Sequence, residues 1–176
     1  ALDFSRASID LLKRMRKRGK VDFHVVQADV LNIPFKEGAF NVIYSEGLLE
    51  HFRNFNRFFE EATRVMQKSG ILILSVPNKF SFHTFGRFLV SKLMRSWWLY
   101  GYERSFSKKE LRHLLQSSGL RNIEIHGIGL LYGVGRYMPS DIRALLYLVY
   151  VRIRGKKLGV FLTEQFGFQI IGKAEK

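Results

Sequence analysis

The sequence predicts an α/β fold in which a mostly parallel sheet is covered by helices, and three observations carry that prediction. Helical and extended patterns alternate along the chain, as successive strand-helix-strand connections require. The run Ile71-Leu72-Ile73-Leu74-Ser75-Val76 is apolar with almost no alternation, which suits a strand buried on both faces. The chain has 176 residues, 47% of them hydrophobic, with 16 Phe, 7 Tyr and 2 Trp. That is enough for one sizeable core, so a single domain over 1–176 is expected.

In chain order, Leu2-Asp3 reads as the end of a strand and Ser5 as the cap of a helix with Ile9, Leu12 and Met15 at helical spacing. The helix closes in the basic run Arg14 to Lys20, whose cations suit the negative end of its dipole. Phe23 to Ala28 reads as a strand stopped by Asp29, and 32–38 as a loop. Ala39 to Tyr44 is the next strand, and Ser45 to Phe52 a short irregular helix. Asn54 can cap an amphipathic helix that carries Phe55, Phe58, Phe59, Ala62, Val65 and Met66 on one face and ends at Ser69-Gly70. Ser107 and Glu110 have capping-box spacing, with Leu111, Leu114 and Leu115 behind them and Gly119 as the stop. Ile123 to Ile128 and Phe166 to Lys173 read as two late strands. The stretches at about 79–104 and 131–163 are aromatic, apolar and basic, and look less regular.

The chain has no Cys, which removes disulfides and thiolate chemistry. His24, His83, His113 and His126 share no ligand spacing, so no metal is expected. Gly127, Gly129, Gly133 and Gly135 lack the strand-to-helix context of a phosphate loop and read as strand irregularity and a turn. The run Ala144 to Val151 is much shorter than a membrane span and is bracketed by Arg143 and Arg152. Neither a spanning helix nor a signal peptide is expected, and the lack of Cys leans toward a cytoplasmic location, with membrane association as an option. Lys and Arg outnumber Asp and Glu 29 to 15, a formal net charge of +14 that concentrates anionic partners or simply solvates the surface.

In open sheets of this kind ligands bind beyond the carboxyl ends of the strands. Reading those ends in order gives Asp3, Asp29, Ser45 with Glu46, and Pro77 with Asn78. A carboxylate at one end can accept from both hydroxyls of a ribose, and one at the next from an adenine amino group. Taken singly, each Asp is more often a strand terminator or a helix cap. The segments Gln27-Ala28-Asp29-Val30-Leu31-Asn32-Ile33-Pro34-Phe35, Ala39-Phe40-Asn41-Val42-Ile43-Tyr44-Ser45 and Leu49-Glu50-His51 succeed one another at fixed spacing. Arg64 to Gly70 and the strand ending Val76-Pro77-Asn78 follow. In residue type and spacing these segments resemble the methyltransferase type 11 group of class I S-adenosylmethionine-dependent methyltransferases.

The resemblance implies a Rossmann-like sheet of the seven-stranded methyltransferase type and S-adenosylmethionine as cofactor. It implies that Asp3 accepts from the ribose, that Asp29 accepts from the adenine amino group, and that the Val30 backbone N–H meets the adenine ring. Ser45 and Glu46 fall near the methionine part, while Glu50 and His51 are the candidate catalytic pair on the acceptor side. His51 as the cap of a turn is an equally open reading. Two departures from the family pattern are Asn41 in place of Asp and Lys68-Ser69-Gly70 in place of a Pro-Gly-Gly turn. A third is that the family's first strand and glycine-rich loop do not precede Asp3 in this chain. The expectation is therefore an N-terminally incomplete domain that binds the cofactor weakly alone, with lid-like insertions at 79–104 and 131–163.

The expected function is methyl transfer to a small or lipid-like acceptor. The rival is a non-catalytic basic module for nucleic acid or a membrane surface on a degraded scaffold. From Lys79 to Lys109 seven basic residues stand against the single acid Glu103, among Phe80, Phe82, Phe85, Phe88, Trp97, Trp98, Tyr100 and Tyr102. From Arg136 to Lys157 six basic residues stand against Asp141 and surround the apolar run. An apolar wall rimmed by cations suits lid packing, an amphiphilic acceptor or peripheral membrane contact, with nucleic acid ranked below these.

Overall fold

The computed structural model describes residues 1–19, 22–94, 102–135 and 140–176. Strand β1 (Leu2–Asp3) pairs in parallel with β2 (Val26–Gln27), and helix α1 (Arg6–Arg18) connects them. Four further strands, β3 (Phe40–Glu46), β4 (Met66–Pro77), β5 (Arg121–Ile128) and β6 (Gln169–Glu175), form a second sheet in the order β3-β4-β6-β5. β3 and β4 are parallel, and β6 lies antiparallel between β4 and β5, so three of the four strands run one way. The α/β class holds and the sheet is mixed only through β6. The two sheets are distinct, and β3 forms one edge of the larger one with Val42 and Tyr44 exposed.

The core gathers on the larger sheet. Helix α2 (Asn56–Val65) contributes Phe58, Phe59 and Ala62, and helix α4 (Lys108–Ser117) contributes Leu111 and Leu115. These join Leu72, Leu74 and Val76 of β4, Ile125 of β5, and Ile170 and Ala174 of β6 in one buried cluster. Gly172 belongs to β6 because a Cβ there would stand 3.1 Å from Leu111 and 3.2 Å from Leu115. Ile71 and Ile73, on the opposite face of β4, are only half-buried, so burial on both faces is less complete than the apolar run implies.

Local chemistry explains most element ends. The Ser5 hydroxyl accepts from Ser8 N at 3.4 Å, and Ser107 and Glu110 form the full capping box. Asn54 acts one position earlier than its reading as a cap: its side chain accepts from Asn56 N at 3.0 Å, and the helix starts at Asn56. The second strand shortens to two residues. The irregular helix contracts to a single 3₁₀ turn, Leu49–His51, while Ser45 and Glu46 extend β3. The helix before Ser69-Gly70 ends earlier than its pattern suggests, because Met66 is fully buried and pairs with Phe40 as the first residue of β4. Ser69 then takes φ 66°, and a Cβ on Gly70 would come within 2.9 Å of the Gln67 carbonyl oxygen.

The two stretches that look irregular in sequence are mostly helical. Helix α3 (Phe82–Met94) lies in the first, while α5 (Leu130–Gly135), α6 (Ser140–Ile153) and α7 (Lys157–Phe166) occupy the second. Trp97, Trp98, Tyr100, Arg136 and the end of the basic run at Lys20 lie outside the described residues. Among the described residues no helix is long and apolar enough to cross a membrane, and no group of three or more His, Cys, Asp or Glu could hold a metal ion.

Candidate functional site

The parallel register of β1 and β2 sets Asp3 beside Gln27, and Asp29 follows two residues later. Asp3 as the last residue of β1 and Asp29 just past β2 therefore stand at the same edge, at the carboxyl ends of adjoining strands. Asp3 Oδ1 accepts from Ser5 N at 2.7 Å, and Asp29 Oδ1 accepts from Leu31 N at 2.9 Å. Each carboxylate thus terminates its own strand with a local turn, the bland role that single Asp residues suggest, while standing at the sheet edge where a ligand would lie. A carboxylate has four acceptor positions, and each turn uses one of them.

The chain beyond Asp29 is held by α2. Glu61 Oε2 accepts from Ile33 N at 2.8 Å, and Arg64 donates to the carbonyls of Phe35 and Ile33 at 2.8 Å each. Arg57 Nε donates to Leu31 O at 2.9 Å. Arg64 beside Glu61 draws the Glu61 carboxyl down to about 2. Val30, half-buried, packs against the main core and so ties the Asp29 turn to the larger sheet. These α2 contacts escape sequence reading, which takes Arg64 only as part of a motif. The available signal is Arg57, Glu61 and Arg64, spaced i,i+4 and then i,i+3 on one side of the amphipathic helix.

On the larger sheet β3 delivers Ser45 and Glu46, and Glu46 Oε2 accepts from the Tyr44 hydroxyl at 2.6 Å. That hydrogen bond raises the Tyr44 pKa. Gly47 turns the chain at φ 64°, a conformation that disfavours a side chain, and its N–H reaches Ser75 O at 3.2 Å. The 3₁₀ turn then buries Glu50 to 4% exposure, and its Oε2 has no hydrogen-bond partner. Burial pushes the Glu50 carboxyl up, and the charges of Glu103 and Glu46 act in the same direction, against its own backbone N–H and His51. His51 is exposed and its Nδ1 lies 3.1 Å from Tyr102 O. A carbonyl only accepts, so His51 donates from Nδ1, and in the neutral ring Nε2 carries the lone pair.

Glu46 and Glu103 thus both bring negative charge toward Glu50, and the segment around Glu103 is tied to it. Arg104 N donates to Glu50 O at 3.0 Å, Arg87 pairs with Glu103 at 3.0 Å, and Arg53 lies over the Tyr102 ring at 5.2 Å. Sequence reading notes Glu103 as the lone acid of a basic stretch without assigning it a place. That isolation is the signal, since a single acid among cations usually has a cationic partner. Asn78, at the end of β4, has a structural part. Its Nδ2 donates to Gln165 O and Gly167 O at 3.0 and 2.9 Å, and its Oδ1 accepts from Phe80 N at 3.0 Å. His83 is a core histidine set edge-on against Phe168.

Residues 1–74 match the family model described as "Methyltransferase domain". A 79-residue stretch is 32% identical to an uncharacterised protein of Methanocaldococcus jannaschii, covering 45% of this chain and 35% of that protein. Another, of 58 residues, is 33% identical to a Mycobacterium tuberculosis protein described as a probable S-adenosylmethionine-dependent methyltransferase, covering 33% of this chain and 21% of that one. The chain therefore spans about a third or less of the length of these two curated relatives. In fold it is similar to a solved SAM-dependent methyltransferase of Thermotoga maritima, described as a possible histamine N-methyltransferase. The TM-score is 0.65 at 19% identity over 99% of this chain and 72% of that one. The resemblance to class I S-adenosylmethionine-dependent methyltransferases is thus carried by sequence over residues 1–74 and by fold over nearly the whole chain.

Proposed function

We propose that this chain supplies the adenosine-binding edge and the acceptor-side acid of an S-adenosylmethionine-dependent methyltransferase. The whole protein then transfers a methyl group to a small or lipid-like acceptor. The observation that carries this reading is the arrival of Asp3 and Asp29 at adjoining carboxyl ends of two parallel strands, inside the segment that matches a methyltransferase domain.

The residues present fit the adenosine half of that cofactor. Asp3 and Asp29 are acceptors when ionised, suited to paired ribose hydroxyls and to an amino group respectively, and the Val30 N–H suits a ring nitrogen. Ser45 and Glu46 lie along the methionine part, where the Glu46 carboxylate complements positive charge. When bound, S-adenosylmethionine supplies an electrophilic methyl group on a sulfonium. Glu50, buried and drawn toward its protonated form, offers a hydrogen bond to the acceptor, while His51, steered through Nδ1, presents Nε2 to a proton that the acceptor must lose. The burial of Glu50 keeps water from its own carboxyl.

Calorimetric titration of S-adenosylhomocysteine into the full-length protein tests the reading. Asp29→Ala and Asp3→Ala should each weaken binding about ten-fold or more, the scale of one lost charge-assisted hydrogen bond. Wild-type affinity in both variants would remove these carboxylates from the site.

A further inference from the structure

Helix α6 is apolar around nearly its whole circumference, yet the fold covers only one stripe of it. Leu146, Tyr150 and Ile153 are half-buried, whereas Leu145 and Leu148 are each 62% exposed, with Val149 and Val151 also exposed. A helix that is apolar all round normally lies inside a core or in contact with lipid. The surface continues onto the contacting helix α7, where Leu158 and Phe161 are exposed. The connection between the two helices gathers Arg152, Arg154, Lys156 and Lys157, all exposed, and no acid occurs in the sequence between Asp141 and Glu164.

Aliphatic side chains beside a cluster of cations narrow the choice of occupant. A second copy of this chain on the same face would bring two such cation clusters together, on molecules that each carry a formal net charge of +14. A nucleic acid would meet the cations, and Tyr147 and Phe161 offer it rings, but exposed Leu145, Leu148, Val149, Val151, Leu158 and Val160 outnumber them and give unpaired bases no flat surface on which to stack. An anionic bilayer satisfies both features, since apolar side chains enter the boundary below the headgroups while Lys and Arg meet the phosphates. The 14 residues of α6 give a helix about 21 Å long, short of the roughly 30 Å of a hydrocarbon core, so the contact is with one leaflet.

We propose that the α6–α7 hairpin is a docking surface for an anionic lipid bilayer. This stands apart from the cofactor reading, because none of its residues belongs to the strand-end site. Co-sedimentation of the protein with phosphatidylcholine vesicles, with and without phosphatidylglycerol, measures it. Binding is expected only to the mixed vesicles. The triple variant Arg154→Ser, Lys156→Ser, Lys157→Ser should bind about a hundred-fold more weakly, at about five-fold per cation. Leu145→Glu with Leu148→Glu should abolish binding while leaving the melting temperature unchanged, since both positions are exposed. An α1 control, Lys13→Ser, Arg14→Ser, Lys17→Ser, removes equal charge elsewhere and should bind within a few-fold of wild type. Equal loss in that control would reduce the effect to net charge and overturn the assignment. So would binding to neutral vesicles alone, or a dimer that the Leu145 and Leu148 changes dissolve in a protein that ignores vesicles.

Discussion

The two sheets of this molecule are unequally built. Around β3-β4-β6-β5 the core includes Phe58, Met66, Leu72, Leu74, Val76, Phe106, Leu111, Leu115 and Ile170, each at most 1% exposed. Among the described residues around β1-β2 and α1 the buried side chain is Ile9, with Phe4, Leu11 and Met15 exposed. The proposed adenosine carboxylates therefore stand on the lightly packed sheet, and the proposed acceptor-side acid stands on the densely packed one. Burial of apolar surface is the main favourable contribution to folding, so stability and adenosine binding are largely assigned to different parts of the chain. What couples them is the polar clasp from α2 to residues 31–35.

The contrast breaks or survives first on core deletions. Phe58→Ala is expected to cost about 3–5 kcal/mol, as large aromatic truncations in close-packed cores do. Ile9→Ala should cost no more than about 2 kcal/mol, because the apolar side chains around β1-β2 and α1, such as Phe4, Leu11 and Met15, are themselves largely exposed and can relax. Urea unfolding of both variants measures the difference, and equal costs would show that the smaller sheet is as much a part of the cooperative core as the larger.

The clasp sharpens the comparison at the next scale. Glu61→Leu leaves the buried Ile33 N–H without its acceptor, a loss of about 1–3 kcal/mol. Its pH dependence has a definite sign. The folded carboxyl sits at about 2, below the ordinary value of 4.5, so its contribution is full above about 4.5 and disappears as pH falls toward 2. Glu110, also held at about 2 through Ser107, acts in the same window. Acid unfolding followed by circular dichroism should show Glu61→Leu converging on the wild type near pH 2. A gap of constant size across that range would mean that packing, and not ionisation, accounts for it.

How much of this was legible in the sequence follows from the same inequality. Elements with a period and a cap, such as α1 from Ser5 and α4 from Ser107, can be read because the signal is local. The strand-end order that places Asp3 and Asp29 together is also legible, since it needs only the alternation of helix and strand. Helices α3, α5, α6 and α7 are hidden because their apolar residues do not follow one face, so periodicity has nothing to detect. The shift of Met66 from helix to strand depends on its pairing with Phe40, a contact that no local pattern announces. Glu50 is visible as a candidate residue, but its burial and its unpartnered oxygen depend on tertiary packing, including the bond from Arg104 N to its carbonyl some fifty residues away in the chain.

Glu50 gives the smallest expected effect and the one with the reversed sign. A carboxyl that is 4% exposed with one oxygen unpartnered is a cost to the well-packed sheet, not a support for it. Because burial raises its folded pKa, the folded state holds the proton to higher pH than the unfolded chain does. Its contribution is therefore least unfavourable below the ordinary carboxylate range, and stability is lost as pH rises through the folded pKa. Glu50→Gln keeps the shape and cannot ionise. It should match the wild type in acid and become the more stable protein at neutral and higher pH, by roughly 1 kcal/mol, the scale of one unsatisfied buried polar group. If Glu50 also holds a proton for the acceptor, the same variant loses methyl transfer while it gains stability, the opposition expected of a functional group placed against the interests of the fold. Thermal melts across pH, run beside an activity assay on the full-length protein, separate the possibilities. A variant less stable at every pH would show that the Glu50 carboxylate has a partner and a structural task, and the acidic neighbourhood would then need another reading.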